Sequence, residues 1–314
     1  MTSRERVRAA IDHREADRAP YVIDLCPDAW DQLEPISEGK SLQEFVDNDV
    51  LDIGVPWWYW HELEADWRGM DPPASRPKVM GRGSYAELTE SVKRAKETSD
   101  KYLLVRLYGI HFEMAYVARG IENLLADMVG EPEFAKRLHA SIVDRNLVMM
   151  ENFLCLNEID GVLLGSDWGS QRDLLMSPEA WDEIIAPGEQ RMFDLVHSYG
   201  KDVWIHSCGN IEKIIPRLVE MGIDVLNPIQ PEAMDIAALK RDYGDRLAFW
   251  GGISTQQTLP YGTPDELRAE ARYVRDLMGE GGGYVFSPAQ SIQSDVPTEN
   301  ILALLEVARE SRST

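Results

Sequence analysis

The sequence is short of cysteine and of cationic residues, and each shortage excludes a class of protein. Its three cysteines, Cys26, Cys155 and Cys208, are too few and odd in number for a disulfide framework, and they suit a reducing compartment. Lys and Arg total 32 against 54 Asp and Glu, which gives a formal net charge of −22. Nucleic acids and anionic membranes need clustered cations, so we expect small molecules or basic protein surfaces as partners, and no nucleic acid or membrane.

Long apolar runs and nucleotide-binding glycine motifs are also missing. No run of about 18 apolar residues occurs, so no membrane-spanning helix is expected. The N-terminal residues 1–6 form a charged helix start without the apolar core of a signal peptide, which predicts a cytoplasmic protein. No Gly-x-Gly-x-x-Gly follows an apolar run, which disfavours a dinucleotide-binding sheet. Since no linker or low-complexity tract interrupts the chain, we expect a single domain over residues 1–314.

What the chain does contain is an alternation of short apolar runs and helical segments. In one example, the apolar run Asp160–Leu164 precedes a helix that Ser177 caps and Pro178 opens, and that helix stops at Gly200. Such units continue to the end of the chain from about residue 160. Other predicted strands are Tyr21–Asp24, Val50–Val55, Tyr102–Arg106, Asp202–Ile205, Ile223–Asn227, Leu247–Trp250 and Tyr284–Phe286.

This alternation predicts a parallel sheet covered by helices. Eight units would close a (β/α)8 TIM barrel, and an open doubly wound sheet is the second choice. Residues 26–100 are less regular and are expected to carry insertions over the barrel mouth. Within them the aromatic run Trp57–Trp60 would either line a pocket for a flat ligand or bury a loop or a dimer contact, which is compatible with a homodimer.

The segment His206-Ser-Cys208-Gly-Asn210 directly follows one predicted strand. Residues two apart on a strand point to the same side, so the His206 imidazole and the Cys208 thiol should project toward one point. Both groups are zinc ligands. The pair alone is more typical of a hydrogen-bonded core histidine and a buried free cysteine than of a metal site, but its strand-end position strengthens the metal interpretation, because a barrel carries its active site there.

Polar side chains follow the other predicted strands too. They are Asp24, Cys26, Arg106, His111, Glu113, Asp167, Gln171, Asn227, Gln230, Gln256, Gln290 and Gln293. This crowding predicts a site, although loops are polar in any protein and Asp167 would also suit the cap of a turn. Cys155, by contrast, lies in a predicted helix over about 131–157 and is expected in the core.

A series of short motifs runs through the chain in a fixed order. They are Asp17-Arg-Ala-Pro20, Asp167-Trp-Gly-Ser-Gln171, Met176-Ser-Pro-Glu-Ala-Trp181, His197-Ser-Tyr-Gly200, His206-Ser-Cys-Gly-Asn210, Leu226-Asn-Pro-Ile-Gln230, Gly251-Gly-Ile253, Gly262-Thr-Pro264, Gly282-Gly-Tyr284 and Val296-Pro-Thr-Glu-Asn300. In this order they resemble the uroporphyrinogen decarboxylase superfamily, densely from about residue 160 to 310 and thinly before residue 100. The resemblance implies a (β/α)8 barrel, in agreement with the alternation.

The resemblance implies one of two activities. The true decarboxylases work without a cofactor and hold a polycarboxylate porphyrinogen with an Arg-rich segment after the first strand. This sequence has no arginine between Arg18 and Arg68, and the stretch between them is acidic. It would repel a polyanion, so porphyrinogen decarboxylation is disfavoured.

The other activity is that of the cobalamin-dependent methyltransferases, such as those that methylate coenzyme M. The resemblance implies a zinc ion on His206 and Cys208 that binds an acceptor thiol and lowers its pKa. The resulting thiolate takes a methyl group from methylcobalamin on a corrinoid partner protein. A later cysteine is the third zinc ligand in these enzymes, and Gln290 stands near its place here.

Glutamine is a poor zinc ligand, so the predicted metal site has several outcomes. Asp167, Glu113 or Cys26 completes it, or Gln290 binds weakly, or no metal is bound. With one thiolate fewer, the zinc ion would be more electrophilic, which suits an acceptor other than a thiol, such as a tetrahydrofolate.

The sequence therefore favours a zinc-dependent methyl transfer between a corrinoid protein and a small acceptor. In this hypothesis Asp167 and His206 are catalytic, and His206, Cys208 and Gln290 bind the metal. The substrate would be bound by Asn227, Gln230, Gln171 and Arg106. One alternative is a metal-independent decarboxylase or lyase that uses Asp167 or Asp24 as a proton donor, with Arg106 and Arg172 as the carboxylate clamp. Another is a barrel that binds a ligand without catalysis.

Overall fold

The computed structural model describes residues 1–56 and 85–311. The aromatic run at residues 57–60 lies outside them, so its predicted roles stay predictions. The chain divides into two units. The first unit comprises Met1–Leu51, Asp100–Tyr102 and Asp224–Thr314, and the second comprises Asp52–Ser99 and Leu103–Ile223. The expectation of a single domain stays a prediction.

Seven strands are assigned in the described residues. They are β1 (Val50–Ile53), β2 (Tyr102–Leu107), β3 (Gly161–Gly165), β4 (Asp202–His206), β5 (Val225–Ile229), β6 (Ala248–Ile253) and β7 (Tyr284–Pro288). In the second unit, β3 pairs in parallel with β2 and with β4. In the first unit, β6 pairs in parallel with β5 and with β7. The predicted parallel α/β class is confirmed.

The helices fill the segments between these strands. They are α1 (Ser3–Ile11), α2 (Pro27–Leu33), α3 (Leu42–Val46), α4 (Tyr85–Thr98), α5 (Phe112–Arg119), α6 (Ile121–Gly130), α7 (Pro132–Leu154), α8 (Pro178–Ala180), α9 (Ala186–Ser198), α10 (Ile215–Glu220), α11 (Ile236–Tyr243), α12 (Thr258–Tyr261), α13 (Pro264–Gly279) and α14 (Thr298–Arg309). The Ser177 hydroxyl accepts a hydrogen bond from the backbone of Ala180, and Thr263 forms a capping box with Glu266, as these sequence signals predict.

In the second unit, the strands β3 and β4 are packed between apolar side chains. All five residues of β3 are buried, and so are Val203, Trp204 and Ile205 of β4. The predicted helix after Ser177 is interrupted by a π-helical turn at Trp181–Ile185, just before Pro187. Since proline cannot donate a backbone hydrogen bond and clashes with the carbonyl four residues back, the wider turn accommodates it.

In the first unit, the segment predicted as the strand Tyr21–Asp24 forms only isolated parallel bridges, from Tyr21 to Phe286 and from Leu25 to Ile292. Val22 N donates to Phe286 O at 3.0 Å, but side chains take the next amides on either side. Asp49 accepts from Tyr21 N at 2.9 Å, and Asn48 accepts from Ile23 N at 2.8 Å. The prediction of a regular strand here is therefore wrong, although the segment does run parallel to its partner.

The prediction of a core position for Cys155 is also wrong, because this residue is exposed. Helix α7 ends at Leu154, which is its last buried residue, and Cys155 is the C-cap. By contrast, the segment Glu87–Glu97 forms a helix face of charged residues with Leu88 and Val92 buried beneath it, as expected. Among the described residues, no helix is both long and apolar enough to span a membrane.

Candidate metal centre

The carboxyl end of β4 carries the predicted ligand pair. His206 is the last residue of the strand, and Cys208 follows after Ser207. The Cys208 Sγ atom lies 3.4 Å from His206 Nε2. The two side chains therefore converge on one point. Because both residues are only partly buried, a small ligand can reach that point.

The neighbouring strand brings Asp167 to the same point. Gly165, the last residue of β3, pairs in register with His206, so the chain after β3 emerges beside the end of β4. Asp167 Oδ1 lies 3.5 Å from His206 Nε2. Donor atoms of Asp167, His206 and Cys208 all lie within 4.8 Å of one another, and no other such trio occurs within residues 1–56 and 85–311.

The spacing of these donor atoms suits a tetrahedral zinc ion. Bonds of about 2.0–2.3 Å at tetrahedral angles place neighbouring ligand atoms about 3.3–3.8 Å apart. Two of the three donor separations fall in this range: 3.4 Å from Cys208 Sγ to His206 Nε2 and 3.5 Å from His206 Nε2 to Asp167 Oδ1. A thiolate, an imidazole and a carboxylate are all zinc donors, and three protein ligands are the usual number in catalytic zinc sites. The donor set therefore fits zinc.

Backbone hydrogen bonds hold the two ligand loops against each other. Ser166 N donates to His206 O at 3.1 Å, and Asn210 N donates to Ser170 O at 2.7 Å. The side chain of Asp167 takes part as well, because its Oδ1 accepts from Cys208 N at 2.9 Å. The position of Cys208 is thus tied directly to that of Asp167.

Two glycines allow this close approach. A Cβ atom on Gly169 would lie 2.6 Å from the carbonyl oxygen of Cys208, and one on Gly209 would lie 2.5 Å from that of Ser170. Gly209 also has φ of +82°, a conformation that favours glycine. The glycines of the Asp167-Trp-Gly and Cys208-Gly segments are therefore required by the geometry of the site.

Glu113 supports Asp167 from the other side. This residue lies in the first turn of α5, and its Oε1 accepts from Asp167 N at 2.5 Å. Burial raises the pKa of Glu113 to about 7, and the negative charge of Asp167 adds to this rise while the hydrogen bonds oppose it. The sequence named Glu113 as an alternative metal ligand, but it lies outside the trio of donor residues.

Tyr108 contacts the His206 ring and was not predicted. Its ring centroid lies 4.9 Å from that of His206 at an interplanar angle of 89°. Gly165 provides the room, since a Cβ there would lie 3.0 Å from the tyrosine ring. Tyr108 is the first residue after β2, so its place at a strand end was the available signal.

Behind the site, three buried titratable side chains form a hydrogen-bonded chain. His111 Nδ1 lies 2.7 Å from Glu189 Oε1, and His111 Nε2 lies 3.0 Å from His139 Nδ1. Burial raises the pKa of Glu189 to about 8 and lowers the pKa of His111 to about 3. Since burial disfavours both charges, we assign one proton between Glu189 and His111. Gly188 makes the contact possible, because a Cβ there would lie 2.8 Å from the His111 ring.

The remaining predicted site residues have other surroundings. In the second unit, Arg106 forms an ion pair with Asp52 at 2.6 Å, and Gln171 is exposed. The other predicted residues belong to the first unit, where Asn227 and Gln230 are buried at the end of β5 and Gln290 is exposed after β7. Cys26 caps α2, because its Sγ accepts from Ala29 N. The binding roles of all these residues stay predictions.

Comparison with known proteins identifies the family. The profile of the uroporphyrinogen decarboxylase family matches residues 64–311. The chain belongs to this family. The resemblance of the motifs to uroporphyrinogen decarboxylases, on the methyltransferase side, is thereby confirmed.

The names of the curated relatives include both activities. The methylcobamide:CoM methyltransferase MtaA of Methanosarcina barkeri is 31% identical over 131 residues, which are 42% of this chain and 36% of that protein. A uroporphyrinogen decarboxylase of Chlorobium phaeobacteroides is 34% identical over 192 residues, which are 58% of this chain and 51% of the relative. The matches thus span about a third to a half of the length of these curated relatives.

A solved structure shares the fold over nearly the whole chain. It is a methyltransferase from Methanosarcina mazei, with a TM-score of 0.71 at 17% sequence identity, and the match covers 98% of both chains. At this identity the likeness concerns the fold alone.

Proposed function

We propose that the protein transfers a methyl group between a corrinoid carried by a partner protein and a small acceptor, such as a thiol or a tetrahydrofolate. In this proposal a zinc ion is held by His206, Cys208 and Asp167. The observation that carries the proposal is the convergence of these three donors within 4.8 Å of one another at the ends of two neighbouring strands. A relative named as a methylcobamide:CoM methyltransferase supports the choice of reaction.

The bound zinc would supply Lewis acidity to the acceptor, which lowers its pKa and favours its nucleophilic form. Within this donor set, the Cys208 thiolate and the Asp167 carboxylate carry two negative charges and the His206 imidazole is neutral. A carboxylate donates less electron density than a second thiolate would. The set therefore favours an acceptor that needs a stronger Lewis acid than a thiol does, such as a tetrahydrofolate.

The protein's own side chains hold the reacting groups in place. The edge contact from Tyr108 restricts rotation of the His206 ring, and the hydrogen bond from Cys208 N fixes the Asp167 carboxylate. We further propose that Gln171, which belongs to the same unit as the metal centre, orients the substrate. An eight-unit (β/α)8 barrel, in which the irregular segment after Pro20 takes the place of the remaining strand, belongs to the same proposal.

The alternative, a metal-independent decarboxylase or lyase, receives less support. It requires cationic side chains to clamp a carboxylate, and the sequence offers Arg106 and Arg172. Arg106 is ion-paired with Asp52 at 2.6 Å. Because that charge is already compensated, its attraction for a substrate carboxylate is reduced.

Metal analysis and turnover test the proposal together. Protein purified without chelators should contain close to one zinc ion per chain, and both His206→Ala and Cys208→Ser should lose most of it. Methylcobalamin should be demethylated in the presence of a thiol or a tetrahydrofolate, as followed by the corrinoid absorbance. The exposed variant Cys155→Ser is the matched control and should keep both its zinc and its activity. Zinc far below one per chain that His206→Ala does not change would refute the metal mechanism, and bound zinc without turnover would favour the non-catalytic binder.

A further inference from the structure

Asp167 is fixed from two directions by different parts of the second unit. Its side chain is held by the backbone of Cys208, at 2.9 Å from Oδ1. Its backbone N–H is held by the side chain of Glu113, which comes from α5. Asp167 itself lies in the loop after β3, where no strand pairing restrains its backbone. The Glu113 contact is therefore the hydrogen bond that restrains the backbone amide of the proposed ligand.

Glu113 is well placed to act as an anchor. The residue before it, Phe112, is fully buried and donates its backbone N–H to Ser166 Oγ at 3.2 Å. Two more residues of α5, Ala115 and Ala118, are buried against the rest of the unit. The helix start that carries Glu113 is consequently packed in place, and it is bonded to two adjacent loop residues, Ser166 and Asp167.

We propose that Glu113 is a positioning residue of the metal centre: its carboxyl oxygen holds the Asp167 backbone so that the Asp167 carboxylate stays at ligand distance from His206 and Cys208. This inference rests on the proposed function. Catalytic and metal-binding groups need positions accurate to about 0.5 Å, and supporting hydrogen bonds provide that accuracy. Without the contact, the loop would still be tied through the amides of Ser166, Trp168 and Cys208, but the Asp167 amide itself would lose its acceptor.

The role differs from that of a ligand. Glu113 Oε1 is engaged by the Asp167 amide, and Oε2 is a buried atom that lacks a hydrogen-bond partner in the described part of the chain. The residue lies outside the trio of donor residues whose atoms fall within 4.8 Å of one another. A glutamine at this position would keep an oxygen acceptor for Asp167 N, whereas an alanine would remove it.

Zinc affinity distinguishes these variants. Kd is measured by competition with a chromophoric chelator, and the visible spectrum of the cobalt-substituted protein reports the ligand geometry. Glu113→Ala should weaken zinc binding about 10- to 100-fold, the range for loss of a supporting hydrogen bond, and should change the cobalt spectrum. Glu113→Gln should stay within about threefold of the wild type, because it keeps the acceptor. Glu122→Ala, an exposed acidic residue in the first turn of α6, is the matched control and should have no effect.

A double-mutant cycle tests whether Glu113 acts through Asp167. In an Asp167→Ala background, measured with a weaker chelator, Glu113→Ala should cause no further loss of zinc affinity. An equal loss in both backgrounds would overturn the proposal, as would wild-type affinity in Glu113→Ala or equal losses in the Ala and Gln variants. A wild-type protein that binds no zinc would instead refute the proposed function, so the two failures are distinguishable.

Discussion

The substitution Glu189→Gln is predicted to remove a loss of stability that the wild-type protein suffers as the pH rises to about 8. Glu189 is 2% exposed, and burial raises its pKa to about 8. In the unfolded chain a glutamic acid has a pKa of about 4.3. Between these values the folded state keeps a proton that the unfolded state has released, so stability falls as pH rises through this window.

The size of the effect follows from proton linkage. Each pH unit within the window costs about 1.4 kcal/mol. Below about pH 6.5 the two buried histidines act in the opposite direction, since burial lowers the pKa values of His111 and His139 and the unfolded chain binds the extra protons. Above about pH 6.5, Glu189 is the group of this cluster whose protonation still differs between the folded and the unfolded chain. From pH 6.5 to 8, Glu189 should therefore cost the wild type about 2 kcal/mol of unfolding free energy.

Glu189→Gln should abolish this component, because the amide can donate a hydrogen bond to His111 Nδ1 as the protonated carboxyl does and has no charge to acquire. The assay is urea unfolding of both proteins at several pH values from 6.5 to 8. Other groups, such as Glu113, contribute equally to both proteins and cancel in the difference. The exposed substitution Glu151→Gln is the control. Identical pH dependence of wild type and Glu189→Gln would refute the reasoning and would mean that Glu189 is ionised throughout, as in an ion pair with His111.

Two further predictions concern the metal centre. Gly209→Ala should lower the unfolding free energy by about 1–3 kcal/mol and weaken zinc binding, because the backbone has φ of +82° and the new methyl group would lie 2.5 Å from Ser170 O. Urea unfolding measures the first effect and chelator competition the second, and unchanged values would contradict the assigned loop contact. Chelator treatment should lower the thermal unfolding midpoint of the wild type but not of His206→Ala, because zinc at about 100 times its Kd stabilises the folded state by about 2.7 kcal/mol. Equal shifts of the midpoint in both proteins would mean that the metal is bound elsewhere.

The parts of the fold that the sequence predicted correctly are those governed by local signals. The Ser177 cap and the Thr263 capping box begin helices where expected. The segment at Tyr21–Asp24 was mistaken for a regular strand because its apolar pattern is that of a strand. The hydrogen bonds to Asp49 and Asn48 that replace a ladder depend on residues more than twenty positions away, which periodicity does not reveal.

The predictions for the metal centre divide in the same way, between local sequence signals and contacts that depend on the fold. The convergence of His206 and Cys208 followed from the alternation of side chains along a strand. The contribution of Asp167 depends on the register between two strands, which pairs Gly165 with His206, and a sequence alone does not specify that register. Tyr108 was missed for the same reason, since its contact with the His206 ring crosses from β2 to β4 over the small residue Gly165.

The central claim is that the protein binds zinc through a single sulfur ligand, and X-ray absorption spectroscopy at the zinc edge tests this claim most directly. The wild-type protein should show one sulfur scatterer at about 2.3 Å and nitrogen or oxygen scatterers at about 2.0–2.2 Å. The zinc that Cys208→Ser still binds should show no sulfur scatterer. Two sulfur scatterers in the wild type, or a shell of nitrogen and oxygen alone, would contradict the ligand set of His206, Cys208 and Asp167.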